Sequence, residues 1–154
     1  MTNSRKGFTV KAAAVQDAMA TAIATQQAAI GDVTPLSVGY PAGGLLAAHI
    51  WIGGEFNVTM PQRVSGGLQR DEEGEIEVRV SVVWSAADMV TARNRALAIA
   101  AIVENAVSVD PTLGGVVQEA HVANVSGREA APDEHSRQYG LLLRVAYQTT
   151  VVLA

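Results

Sequence analysis

The strictest pattern in the chain runs from Glu75 to Ser85, where Ile76, Val78, Val80, Val82 and Trp84 alternate with Glu75, Glu77, Arg79, Ser81, Val83 and Ser85. Period two is the repeat of a strand with one buried and one largely wetted face. The N-terminal part follows a helical repeat instead. Phe8, Ala12, Val15, Met19, Ile23 and Ile30 recur at helical spacing in an alanine-rich run without Gly or Pro, which predicts a helix from Val10 to about Ala29 with Thr9 as N-cap and Gly31 just past its end. A second stripe of Met89, Ala96, Ile99, Ala100, Val103 and Val107 predicts another helix. Ser85 and Asp88 stand at its start in a variant of the capping box, and Asp110-Pro111 stops it, because a residue before proline is pushed out of helical geometry.

Weaker patterns fill the gaps. Val33 to Tyr40 predicts a short strand that Pro35 confines to an edge or a strand start. Leu46 to Val58 predicts another, with Gly53-Gly54 marking a bulge or a close backbone approach. Val116 to Val125 and Tyr139 to Leu153 predict the last two strands. In the final one Leu141, Leu143, Val145, Tyr147, Thr149 and Val151 share one face and Leu142, Arg144, Ala146, Gln148, Thr150 and Val152 the other. Both faces are partly apolar, so that strand is either central or covered by a partner chain. Two stretches predict loops: the Gly-rich arm Met60 to Gly74 and the polar linker Ser126 to Arg137. The order α-β-β-β-α-β-β, with two narrow alanine-rich stripes, predicts one α+β domain over residues 1–154. Both helices pack on one face of a mainly antiparallel sheet.

Composition narrows the functions open to such a domain. Its 154 residues suit a single domain that buries about two-thirds of its unfolded surface. Hydrophobic residues make up 49% and charged residues 17%, a balance that favours self-association if part of the apolar content is exposed. A net charge of -4 and a pI near 5.3, with only Lys6 and Lys11 as lysines, argue against sequence-specific nucleic-acid binding. Without cysteine there are no disulfides, thiolate metal sites or cysteine nucleophiles. No signal peptide or membrane span is legible, and the expectation is a soluble chain made in a cytosol.

No constellation of catalytic residues emerges. His49, His121 and His135 lack metal-ligand spacing; Glu119 and His121 share a strand face, but two ligands seldom make a site. The serines lack a G-x-S-x-G frame, Ser126-Gly127 reads as a turn, and the paired glycines lack a phosphate-binding pattern. Asp71, Glu72, Glu73, Glu75 and Glu77 lack calcium-loop spacing and read as a solvated hairpin. The expectation is a non-enzyme with no cofactor and no metal.

Two stretches, Trp84-Ser85-Ala86-Ala87-Asp88 after the alternating strand and Asp110-Pro111-Thr112-Leu113-Gly114-Gly115-Val116-Val117 between helix and strand, together with the element order, resemble the tail terminator (tail completion) proteins of long-tailed bacteriophages. The resemblance implies a structural virion protein assembled in the host bacterial cytoplasm and placed at the tail-neck junction. It would form a ring, usually of six copies, that caps the tail tube, stops its polymerisation and meets the head-tail connector protein. Its partners would be copies of itself, the tail tube protein and the connector, with the genome passing through the lumen and no membrane contact. On such a ring the arm Met60 to Gly74 would reach a tube ring or a neighbouring subunit through Leu68, flanked by Arg63 and Arg70. The alternatives are another phage neck or head-completion protein, or a small α+β enzyme or ligand-binding domain.

Overall fold

The computed structural model describes residues 10–41, 47–60, 64–65, 69–84, 88–132 and 134–152. Its elements are α1 (Ala12–Ile30), β1 (Leu36–Val38), β2 (Ala48–Thr59), β3 (Val64–Ser65), β4 (Gln69–Trp84), α2 (Met89–Val109), β5 (Glu119–Ala130) and β6 (Arg137–Val152). The main sheet runs β1-β2-β4-β6-β5, with the two-residue β3 beside the start of β4. β1 is parallel to β2 and every other pair is antiparallel. Both helices lie on one face, where Val15, Met19 and Ile23 of α1 and Ala96, Ile99 and Val103 of α2 share one core with Val78, Val80, Leu143 and Val145. The expected α+β architecture and element order are observed, with β3 as an additional short strand.

The two helices stop and start by different means. α1 ends as its sequence predicts: Gly31 adopts φ 72°, and its N–H bonds to Gln27 O. Ile30, counted on the apolar stripe, is 58% exposed, because the helix has run past the sheet-facing part of its stripe. Lys11 occupies the N-cap position without a side-chain bond, and Thr9 and Phe8 lie outside the described residues. In α2 the cap is Asp88 itself, whose carboxylate accepts from the N–H groups of Val90 and Thr91. Ser85 lies outside the described residues. The acid therefore satisfies the free amides directly and also favours the positive end of the helix dipole.

The junction after α2 explains its own composition. Leu113, Gly114 and Gly115 all take positive φ, at 49°, 71° and 87°. Asp110 Oδ2 accepts from Gly114 N at 2.8 Å, Asp110 Oδ1 from Thr112 Oγ1 at 3.1 Å, and Thr112 Oγ1 from Gly115 N at 3.2 Å. Two glycines make the left-handed turn easy. Leu113, which pays a steric penalty of about 1–2 kcal/mol for αL, is 2% exposed and anchored in the core.

Several boundaries differ from the sequence expectation. The described part of the arm Met60 to Gly74 is mostly strand: β4 begins at Gln69 and pairs along its whole length with β6, from Gln69 opposite Val152 to Trp84 opposite Arg137. Glu72, placed in a solvated acidic run, is fully buried. The alternation simply continues through Gly74 and Glu72 onto the helix side, which charge had masked. Trp84, at the strand end, is 39% exposed. β5 starts at Glu119, after the left-handed turn, and continues through Ser126-Gly127, which is strand and not turn. A Cβ on Gly127 would lie 2.5 Å from the Tyr139 hydroxyl, so a larger residue would make that ring shift. Likewise a Cβ on Gly74 would lie 2.2 Å from Tyr147 Cζ. The expected Gly53-Gly54 bulge is present, since the β2–β4 register shifts between Ile52 and Phe56.

Candidate functional site

The sheet face away from the helices presents its side chains in cross-strand rows. One row is Trp51, Arg79, Leu142 and Ser126, and the others step down through Glu77, Arg144 and Asn124, then Asn57, Glu75, Ala146 and His121, then Thr59, Glu73, Gln148 and Glu119. Arg144 Nη1 lies 3.0 Å from Glu75 and 3.4 Å from Glu77, and Arg79 Nη2 lies 3.0 Å from Glu77. The hydrogen bond to Glu75, with both carboxylates nearby, raises the Arg144 pKa. Lower down, Thr150 Oγ1 donates to Asp71 and accepts from Gln118 Nε2, both at 3.0 Å. Above the ladder a groove of about 410 Å³ runs between Trp51, Arg79, Leu142, Ser126 and Arg128, with Gly140 in its floor. The sequence carried a signal for this surface in the wetted positions of β4, but the groove needs β5 to extend beyond Val125.

Two buried polar groups invite a chemical reading. Glu72 accepts from Arg70 Nη2 at 2.9 Å beneath the end of the sheet. Burial, and then the Glu72 charge, push the Tyr147 pKa up to about 12, so this phenol stays protonated. The second group is His49, whose Nε2 lies 3.1 Å from Ser37 Oγ, while that hydroxyl is 3.0 Å from Gly39 O. The Ser37 hydroxyl stands between the Gly39 carbonyl and the imidazole, and the tautomer of His49 sets which of the two it donates to. Burial lowers the His49 pKa. Among the described residues no three His, Cys, Asp or Glu side chains converge to hold a metal ion.

Of the three residues expected at a partner interface, Arg63 and Leu68 lie outside the described residues. Arg70 sits in β4 and directs its guanidinium to Glu72 of its own strand. His121 and Glu119 do share the open face, and each is exposed. No described helix is long and apolar enough to cross a membrane.

The two sheet edges are the remaining feature. β5 is exposed at every position from Ala123 to Ala130, on both faces. On its helix side, the flank of α2 and β5 bound an open groove of about 500 Å³ lined by Glu104, Val107, Pro111, Val122 and Val125. At the opposite edge Val38 is 49% and Phe56 52% exposed. These apolar groups lie where a sheet would be continued, not where a ligand would be enclosed.

No protein-family model matches the chain, and no curated protein matches it. Among solved structures it is similar to a chain in the virion of a native gene transfer agent (GTA) particle, at 14% identity and a TM-score of 0.44, over 90% of this chain and 99% of that one.

Proposed function

We propose that this chain is a structural virion protein of the tail terminator kind, six copies of which form a ring on the tail tube of a long-tailed phage. The ring stops tube polymerisation and offers its other side to the head connector. The observation that carries the reading is a sheet whose two helices cover one face only, leaving, among the described residues, most of the second face and both edges without a covering element. Such a chain acts through the surfaces it offers to other subunits. The element order and the Asp110–Gly115 turn agree with what the sequence resemblance implies. The lower end of the open face carries Asp71, Glu73 and Glu119, away from the arginines Arg79, Arg128 and Arg144, and like charge on a lumen wall lets DNA pass without sticking. In this reading the chain is not an enzyme and needs no metal or cofactor.

The test is to disrupt the gene and measure tail lengths by negative-stain microscopy. Overlong tails are expected. Tails of normal length that fail to join heads would instead indicate a neck or head-completion protein. Light scattering on the isolated protein is expected to show an assembly larger than a monomer.

A further inference from the structure

The partner that fits the free edge of β5 is the opposite edge of a second copy. β1 leaves the sheet after Val38, which stands opposite Ile52, and Gly39 turns the chain at φ 81°. Beyond that point the outer side of β2 has no strand partner among the described residues. The outer side of β5 is likewise unpaired over its 12 residues. Natural edges of this length are usually blunted by Lys, Pro, a bulge or a cover; β5 contains neither residue, and its register shift between Val122 and Asn124 falls before the Val125–Ala130 stretch.

Directions and faces match. β5 and β4 both run antiparallel to β6, and β2 runs antiparallel to β4. β2 and β5 are therefore antiparallel to each other, so head-to-tail copies can extend one sheet without inverting a subunit. With β5 in the lane that β1 vacates, the register that matches the charges places Arg128 opposite Glu55, Ser126 opposite Asn57 and Val125 opposite Val58. Arg128 and Ser126 lie on the open face, as Asn57 does; Val125 and Val58 lie on the helix side. Neither Glu55 nor Arg128 has an ion-pair partner among the described residues, so the charges are complementary and uncommitted. Phe56, 52% exposed, comes to face Gly127, where the half-buried Tyr139 already lies and offers an aromatic neighbour. The offset of β5 along β2 is the stagger that a closed sheet requires.

We infer that Val125–Ala130 of one copy pairs antiparallel with the Glu55–Thr59 stretch of the next, joined by an Arg128–Glu55 ion pair, so that the subunit sheets close into one continuous wall. The inference rests on the ring reading, because a contact between two different edges is heterologous and closes only around a ring.

The chain has no cysteine, so an engineered disulfide reports the contact directly. Asn57→Cys and Ser126→Cys are placed together in one chain, particles are purified and oxidised, and the products are separated without reductant. A ladder from dimer upward is expected, with each single variant remaining monomeric. Glu55→Arg in this background lowers the cross-linked fraction several-fold, and adding Arg128→Glu restores it. Particles with normal tails but no ladder overturn the edge pairing and leave the tail role standing. A Ser126→Cys single variant that dimerises overturns it too, because β5 edges then meet each other. A ladder in a protein whose loss leaves tail assembly unaffected has the opposite meaning: the pairing stands and the tail role falls.

Discussion

The two faces of β4 are made by alternate residues of one 16-residue strand, yet they obey different rules. On the helix side Ile76, Val78, Val80 and Val82 are each no more than 1% exposed and touch both helices' stripes. On the other side Glu75, Glu77 and Arg79 make ion pairs that remain partly wetted. The first face determines whether the chain folds. Exposed ion pairs contribute little to folding, so the second face is free to be selected for what it meets. Mutations should separate these two roles.

The largest effect belongs to the covered face. Ala100, 3% exposed on α2, belongs to the apolar core, and Ala100→Asp should cost about 3–5 kcal/mol as an uncompensated buried charge. Urea denaturation measures it, and a near-neutral result would show that the helix layer is looser than described. Gly74→Ala comes next. Its new methyl meets Tyr147 at 2.2 Å, and overpacking of this kind costs about 1–3 kcal/mol. Gly54→Ala, which meets nothing within 4 Å, serves as the control in the same thermal melts.

His49 tests a place where the open-face side of β2 is buried. Burial holds its pKa below 6.5, so the folded protein keeps the neutral ring and the unfolded chain takes up the extra proton. The stability it contributes is complete above that value and is lost as the pH falls. Denaturation midpoints at pH 7.5 and 5.5 should drop more for the native chain than for His49→Gln. Equal drops would place the acid sensitivity elsewhere. The smallest effect is expected for Arg79→Ala on the open face, within about 0.5 kcal/mol of the native stability. A larger loss would mean that the ladder supports the fold itself.

The sequence made the covered face legible because aliphatic residues mark it in phase with each element: Ile76 to Val82, Leu141 to Val151, and the α2 stripe all stand where their periodicity placed them. Errors gather where residue type and position disagree. Glu72 looks like solvent because it is charged, yet Arg70 two residues earlier lets it be buried. Gly127 looks like a turn, yet it is a gap left for an aromatic ring on the adjacent strand, information that no local window contains. The candidate surfaces were harder still. The groove beside Trp51 and Arg128 joins β2, β4, β6 and β5, and only the cross-strand register shows that these residues are neighbours.

The two tyrosines of β6 have a consequence for how the sheet is assembled correctly. Tyr147 crosses Gly74 of β4, and Tyr139 crosses Gly127 of β5, so one strand is keyed to both of its neighbours at points eight positions apart along β6. Valines and leucines on this face are nearly interchangeable, and a two-residue slip would still put apolar groups inside. A ring has no such tolerance: a slip would drive it into a Cβ. The keyed pairs thus act as proofreading for a long-range alignment, rejecting wrong registers that hydrophobicity alone would accept.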